Sequence, residues 1–375
     1  MIEIKEVKTK KQIKEFLDFP LKLYKGNPYF VPPLYMDEKK LFDKNYLYYD
    51  VCEAVYYNAY KDGKMVGRIS GILQNASNKK WKQKRVRFTR FDSIDDQEVA
   101  NALFGATEAW AKEHKMEEVV GPLGFSDLER EGLLIEGFDE LATFEEQYNY
   151  PYYQTLIENY GFKKEVDWLE RKLYAPKEPN DRLKRLSTLM MKRYKLHYGQ
   201  AKNIKQFLKK YADAFFEILD KTYVDIYGTV PFTEGMKKTM ISNFTLLMDT
   251  RYVTVICDEN EKVVCFGMCL PSIARAVQKS GGHLTLPTIF KILRSKHKPK
   301  VIDLALIGVL PEYAQKGISS ALIGNIMDML TTGGVEYAET NLNLEDNLSI
   351  QNQWKAFDSV LHKRRRCYVK RIGEK

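Results

Sequence analysis

The apolar positions of this chain change period repeatedly, and each change marks an element. IEIKEVK alternates and predicts a strand, and TKKQIKEFLDFPLKLY then takes helical spacing with Thr9 as its cap. AVYYNAYKDGKMVGRISGIL reads as a hairpin turning at Asp62-Gly63. VRFTRFDSI is a strand, and DDQEVANALFGATEAWAKEHKM is an amphipathic helix with Val99, Leu103, Ala106 and Trp110 on one face. VVGPLGF is a short strand, YPYYQTLIENYGF a short helix stopping at Gly161, and VDWLERKLY a closing strand.

APKEPNDR, with two prolines, reads as a linker, after which the order recurs. KLHYGQA is an opening strand, and NIKQFLKKYADAFFEILDKTY and FTEGMKKTMISNFTLLM are helices. RYVTVICDENEKVVCFGMCL is a hairpin turning near Asp258–Lys262. VIDLALIGVL is a buried strand, and SSALIGNIMDMLTT is a helix ended by Gly333-Gly334. VEYAETNLN is a strand, NLSIQNQWKAFDSVL a helix and RRRCYVKRI a last strand. Between the second hairpin and VIDLALIGVL stands an insertion, IARAVQKSGGHLTLPTIFKILRSKHKPK, without a counterpart in the first half; it either covers a pocket or packs on an edge.

Two similar runs of a hairpin followed by alternating strands and helices predict an α/β fold: a mixed sheet with helices on its faces, present twice. The halves are expected at residues 1–175 and 185–375.

Composition narrows the classes. At 44% hydrophobic and 29% charged the chain reads as soluble and globular. It has no apolar leader and no run long enough to span a membrane, so a cytoplasmic protein is expected. The five cysteines show no CxxC and the five histidines no metal-ligand spacing, so neither a disulfide framework nor a metal is expected. The net charge of +9 suits an anionic ligand or nucleic acid. The basic blocks at Lys184–Lys210 and in HKRRRCYVKRIGEK carry no nucleic-acid motif and read as solvated faces.

The turn in VLPEYAQKGISSAL joins the buried strand to a helix beginning near Ser319 or Ser320. A helix start offers unpaired N–H groups and the positive end of a dipole, and Gly317 lets backbone approach an anion closely. Lys316, Gly317, Ile318, Ser319 and Ser320 therefore form a candidate anion site. The plainer alternative is a connection with Ser as N-cap. Neither a P-loop nor a GxGxxG fingerprint is present.

The order of elements over nearly the whole chain, with VIDLALIGVLPEYAQKGISSALI, resembles the GCN5-related N-acetyltransferase (GNAT) superfamily. FPLKLYKGNPYFVPPLYMDEKK, DGKMVGRISGI, TEAWAKEHKMEEVVGPLGFS and GFDELATFEEQYNYPYYQTLIENYGF are closer to a bacterial subgroup with two GNAT-like halves. The resemblance implies transfer of an acyl group from acetyl-CoA or another acyl-CoA to an amine, small-molecule or peptide. In that family the strand before the turn ends in a bulge, and a turn like Arg/Gln-x-x-Gly-x-Gly/Ala holds the coenzyme's pyrophosphate. Gly317 matches the Gly, Ser319 stands at Gly/Ala, and Ala314 departs from Arg/Gln.

By the same resemblance, the strand end at Val309 and Leu310 pairs with the pantetheine arm. An amide near Leu310 stabilises the oxyanion, typically by about 3–4 kcal/mol. Asn347 falls on the family's Asn. Trp354 falls where a Tyr commonly protonates the thiolate; indole is no acid, so Trp354 packs on pantetheine or in the core. Glu339, sharing a face with Asn341 and Asn343, is a candidate general base. In the first half Asp95 and Asp96 would repel a pyrophosphate, so no coenzyme site is expected there. Glu146, Tyr148, Asn149, Tyr152 and Tyr153 are candidates for an acceptor pocket, or form an aromatic core helix with its cap. Two rival functions follow from the same features: an aminoacyl-tRNA-dependent transferase, suited by the positive charge, and a non-catalytic binding protein, suited by Ala314 and Trp354.

Overall fold

The computed structural model describes residues 1–178, 181–332 and 334–373, apart from the side chains at 243, 244 and 246. Pro179 and Asn180 of the expected linker, the Gly333 stop and the last two residues of the basic tail lie outside the described residues. The strands of the first half are β1 (Ile2–Glu6), β2 (Cys52–Lys61), β3 (Lys64–Gln74), β4 (Arg85–Ser93), β5 (Glu118–Gly121), β6 (Leu133–Glu136) and β7 (Lys163–Tyr174). Those of the second are β8 (His197–Tyr198), β9 (Val253–Cys257), β10 (Val263–Pro271), β11 (Val301–Val309), β12 (Tyr337–Thr340), β13 (Asn343–Leu344) and β14 (Asp358–Arg371). The helices before the linker are α1 (Lys10–Leu23), α2 (Tyr35–Lys40), α3 (Asn75–Trp81), α4 (Gln97–Glu113) and α5 (Tyr152–Asn159). After it come α6 (Asp181–Arg193), α7 (Ile204–Thr222), α8 (Glu234–Leu247), α9 (Ala274–Ser280) and α10 (Leu286–His297). The last are α11 (Pro311–Ala314), α12 (Ser319–Thr332) and α13 (Leu348–Gln353).

One mixed sheet runs through both halves in the order β1-β2-β3-β4-β5-β14-β7-β12-β11-β10-β9-β8. The closing strands are exchanged. β14, the last strand of the chain, lies beside β5 of the first half, and β7, which ends the first half, lies beside β12 of the second. β7 and β14 then pair along almost their full lengths, from Asp358 opposite Tyr174 to Val369 opposite Lys163. Charged cross-strand pairs hold that register. Arg366 stands opposite Asp167 and grips it with two hydrogen bonds of 2.7 and 3.0 Å. Lys363 stands opposite Glu170, which also accepts from Arg365. β14 joins the first half's core through Tyr368 and through Lys370, whose Nζ donates to Glu108 on α4.

Local chemistry explains most element ends. Thr9 and Gln12 form a reciprocal capping box at α1, and Asp96 caps α4 through the Glu98 N–H at 2.9 Å. Asp62 and Gly63 both take positive φ, as a tight hairpin turn requires. Two expectations change. The helix expected over NLSIQNQWKAFDSVL ends near Ala356, and Asp358 already begins β14. The opening strand of the second half shrinks to His197–Tyr198. The basic block at Lys184–Lys210 stays exposed, as expected of a solvated face; part of it forms α6, whose Met190 packs over Gly317.

The insertion reaches across to the other half. Ile273, Ala274, Ala276 and Val277 from around α9, with Ile292 of α10, join the core containing Tyr24, Phe30 and Val31. Gln278 donates to the carbonyls of Pro28 and Phe30, and the Tyr35 amide donates to the Gly282 carbonyl.

Candidate functional site

Two equivalent defects open the middle of the sheet. On β4 two residues, Arg90 and Phe91, oppose the single Ile69 of β3, and Arg90 takes a positive φ of 50°. On β11 the extra residue is Ala305, between Leu304 opposite Cys269 and Leu306 opposite Met268. Such bulges bend a strand and break its pairing. β4 pairs with β5 only as far as Arg87, and β11 with β12 only as far as Leu304. Beyond those points the neighbours splay, and one cavity of about 630 Å³ fills both wedges. Its walls include Thr89, Arg90 and Asp127–Glu131 from the first half. The second half contributes Leu304–Val309 and Thr340–Leu344, and Met236 and Met240 of α8 also line it.

The second-half wedge is apolar on its β11 side, where the strand edge is open, and polar on the opposite side, with Thr340, Asn341, Asn343 and Asn347. Among the described residues, no strand pairs with β11 on its cavity side from Ala305 to Val309. The Leu310 N–H donates to the Val264 carbonyl at 2.9 Å, so the amide expected to hold an oxyanion is already engaged. Successive amides alternate across a strand. Leu310 points to β10, so Val309 and Ile307 turn their amides toward the open side. The Ile307 carbonyl on that side accepts from the Tyr223 hydroxyl at 3.1 Å. Trp354 lines the cavity and donates from Nε1 to Asn343 Oδ1 at 2.7 Å. Asn347 also lines it and caps α13 through the Ile350 N–H.

The first-half wedge is rich in buried charge. Glu38 holds Arg90 through two 3.0 Å bonds, and Asp92 holds Arg68 at 2.7 Å. Asp127, Glu131, Glu145 and Glu146 face the same space. Burial pushes all four carboxyl groups above their ordinary values, and Glu131 is raised further by Asp127. Glu146 is held up at about 8 by burial, against the opposing charge of Arg365. One oxygen each of Glu131 and Glu146 has no hydrogen-bond partner. Burial lowers Arg130 to about 10. A buried carboxylate cluster with unsatisfied oxygens suits a cation, because a positive charge relieves both desolvation and mutual repulsion.

The remaining residues singled out from the sequence fall elsewhere. Glu339 is buried against Lys363 and His362; their charges outweigh burial and hold its carboxyl down at about 2. It is an ion-pair partner, poorly suited to accept a proton near neutrality. Asn149 bonds both backbone groups of Leu134, the Tyr152 hydroxyl donates to the Ser93 carbonyl, and Tyr153 accepts from the Ser93 amide. Those three build the core, whereas Tyr148, bonded to the Phe138 carbonyl, reaches the cavity wall beside Glu146. At the turn, Gly317 takes φ +70°. The Lys316 and Ser320 amides donate to Tyr313 and Gly317 carbonyls, the Lys316 ammonium sits over the Tyr313 and Tyr194 rings, and Ile318 is buried. The turn itself does not line the cavity, whereas Val309 before it and Leu322 on the helix after it do.

Asp127, Arg130 and Glu131 were not singled out in the sequence. Their only signal was the charged run Asp127-Leu-Glu-Arg-Glu131 directly after a short strand, where a solvated loop would look the same. Among the described residues, no group of three or more His, Cys, Asp or Glu side chains is placed to hold a metal ion. None of the described helices is long and apolar enough to cross a membrane.

The chain matches no family model. It is 27% identical over 377 residues to protein YghO of Escherichia coli (strain K12), covering 97% of this chain and 94% of that one. It is 26% identical over 381 residues to the bacterial ceramide synthase of Caulobacter vibrioides (strain NA1000 / CB15N), covering 98% and 96%. Among solved structures, a tandem GNAT protein from the clavulanic acid biosynthesis pathway superposes over 100% of both chains, with a TM-score of 0.55 at 12% identity. With a repeated mixed sheet, a bulge in the fourth strand of each half and a splayed centre, this chain has the tandem GNAT fold, that of the acyl-CoA N-acyltransferases.

Proposed function

We propose that this protein transfers an acyl group from an acyl-CoA thioester to the primary amine of a long-chain amphiphile. The observation that carries this is the single cavity joining the open, apolar edge of β11 to the carboxylate cluster around Glu146. Its volume of about 630 Å³ lies within the usual span of ligand pockets, roughly 300–1,000 Å³. The similarity along the whole chain to a bacterial ceramide synthase supports a lipid-like acceptor. The GNAT fold supports an acyl-CoA donor.

The thioester arm lies along the β11 edge as an added strand would, with its pyrophosphate toward the turn at Gly317 and Ser319. The ammonium of the acceptor enters among Glu131, Glu146 and Asp127. Glu146, ionised, takes a proton from it; the freed amine attacks the thioester carbonyl. The Val309 amide, in place of Leu310, holds the oxyanion as the C–N bond forms. The C–S bond then breaks, and the nitrogen's second proton passes through water to the departing thiolate, since Trp354 has none to give. Positioning and a general base of matched pKa supply the acceleration, the base about 10²–10⁴-fold.

The test is mass-spectrometric detection of N-acyl product from a long-chain 2-amino alcohol, with acyl-CoA donors from two to sixteen carbons. Amide formation with release of free thiol supports the reading. Thermal stabilisation by coenzyme A without product on any amine would instead establish a binding protein, a reading favoured by the engaged amides of Leu310, Lys316 and Ser320.

A further inference from the structure

Helix α10 presents its apolar side to solvent. Thr288 and Ile292 face the protein, while Leu286 is 84% exposed, Phe290 68%, Leu293 52% and Ile289 40%. Those four stand at i, i+3, i+4 and i+7, which makes one continuous stripe. Single exposed apolar residues need no explanation, but a stripe of four on one helix does.

The charges of the segment that carries the stripe are of one sign, with Asp249 from outside it acting on Lys296. Residues 274–300 contain Arg275, Lys279, Lys291, Arg294, Lys296, Lys298 and Lys300 and no Asp or Glu. Arg294 and Lys296 flank the stripe along α10, where long cationic side chains can reach past an apolar surface to headgroups. A second copy of this chain is a poor occupant, because docking α10 on itself would bring these like charges together. An apolar stripe bordered by cations fits the interface of a bilayer carrying anionic lipid.

We infer that α10 is a membrane-docking helix that seats on anionic bilayer surfaces. This goes beyond the acyl-transfer reading and stands without it. The placement relative to the cavity gives the docking a use. Gly282, just before α10, accepts the Tyr35 amide, and His283 stacks on the Tyr35 ring at 4.5 Å. The adjoining Pro33 and Leu34 line the cavity. Seating α10 therefore brings the cavity wall at 33–34 to the lipid surface, from which an amphiphile can enter without crossing water.

The test is co-sedimentation of the full chain with vesicles of phosphatidylcholine, alone or mixed equally with phosphatidylglycerol. Wild type is expected to bind the anionic vesicles at least tenfold more tightly, with affinity falling as salt rises. Phe290→Asp with Leu293→Asp is expected to lose binding at least tenfold, and Lys291→Glu with Arg294→Glu to lose only the preference for anionic lipid. A Phe290→Trp chain is expected to shift its added emission to the blue on anionic vesicles, a readout independent of whether the aspartate variant folds. Three results overturn the inference: wild type remaining in the supernatant, an added emission of the Phe290→Trp chain that is the same on vesicles as in buffer, or a dimer broken by the aspartate pair without any vesicle binding.

Discussion

Arg365, on the exchanged strand β14, points its Nε at Glu170 at 2.5 Å and stands 4.0 Å from a carboxylate oxygen of Glu146. The two distances decide the state of Glu146. Arg365 is already neutralised by the nearer carboxylate, so its attraction for Glu146 is the weaker influence, and burial wins. The last strand of the chain thus only tempers the proton affinity of a group in the first half's wedge, which burial sets.

Glu146→Gln is expected to lower acyl transfer by about 10²–10⁴-fold with the fold retained. Wild-type turnover should rise with pH through about 8 as Glu146 ionises, and the variant should lose that limb. Stability has the opposite sign. A carboxyl raised from 4.5 to about 8 contributes most below its unfolded value, and that contribution is lost as pH rises through the folded one. The melting temperature of the Gln variant should therefore fall less between pH 6 and 9 than wild type's. An unchanged pH–rate profile in the variant would remove Glu146 as the base.

Trp354→Phe separates packing from proton delivery. The substitution removes the 2.7 Å hydrogen bond to Asn343, a loss of about 0.5–1.5 kcal/mol in thermal or urea unfolding. Turnover should stay within about tenfold and the pH–rate profile should keep its shape, because indole supplies no proton. A profile of changed shape in the variant would show that Trp354 orders a group that titrates in the reaction.

The alternation of strands and helices was legible because each element carries its own period, and so was the cap at Thr9. The exchange of β7 and β14 was not. Both strands alternate in the same way, and nothing in a strand's own pattern names its neighbour; the pairing of Arg366 with Asp167 across 199 positions appears only once the sheet is formed. The cavity was legible in part. Glu146, Tyr148, Val309, Asn347 and Trp354 were marked from the sequence and line it, whereas Glu339 was marked by alternation and proved to face the buried cation of Lys363. The bulges at Arg90 and Ala305, which open the site, come from a mismatch between two strands; that of β11 was expected only through the family resemblance, and that of β4 not at all.

The Asp167–Arg366 pair should matter to folding more than an ordinary surface ion pair. Burial alone would raise the Asp167 carboxyl, but the bonds and charges of Arg366 and Lys164 outweigh it and the net value lies below 3.8. Such a group contributes stability above its unfolded pKa, and the contribution is lost as pH falls through the folded one. Asp167→Asn should therefore cost about 1.5–3 kcal/mol at pH 7 in urea unfolding, with a smaller difference from wild type near pH 2. An equal difference at both pH values would mean that the carboxylate charge contributes nothing to holding β7 against β14.

The oxyanion assignment can be tested at a single amide. Val309 ends β11 with its N–H turned from β10, so no ladder hydrogen bond depends on it, and proline is tolerated where the missing donor faces an open edge. Val309→Pro deletes that donor and leaves the Leu310 bond to Val264 in place. The variant is expected to bind coenzyme A within a few-fold of wild type, read by thermal shift. Its acyl transfer should fall by about 10²–10³-fold in kcat, the cost of one lost oxyanion donor. Full turnover in a folded Val309→Pro chain would move the donor to Ile307, the other amide that alternation turns toward the cavity. Loss of coenzyme binding together with turnover would mean that the β11 edge grips the pantetheine arm at Val309 and stabilises the transition state elsewhere.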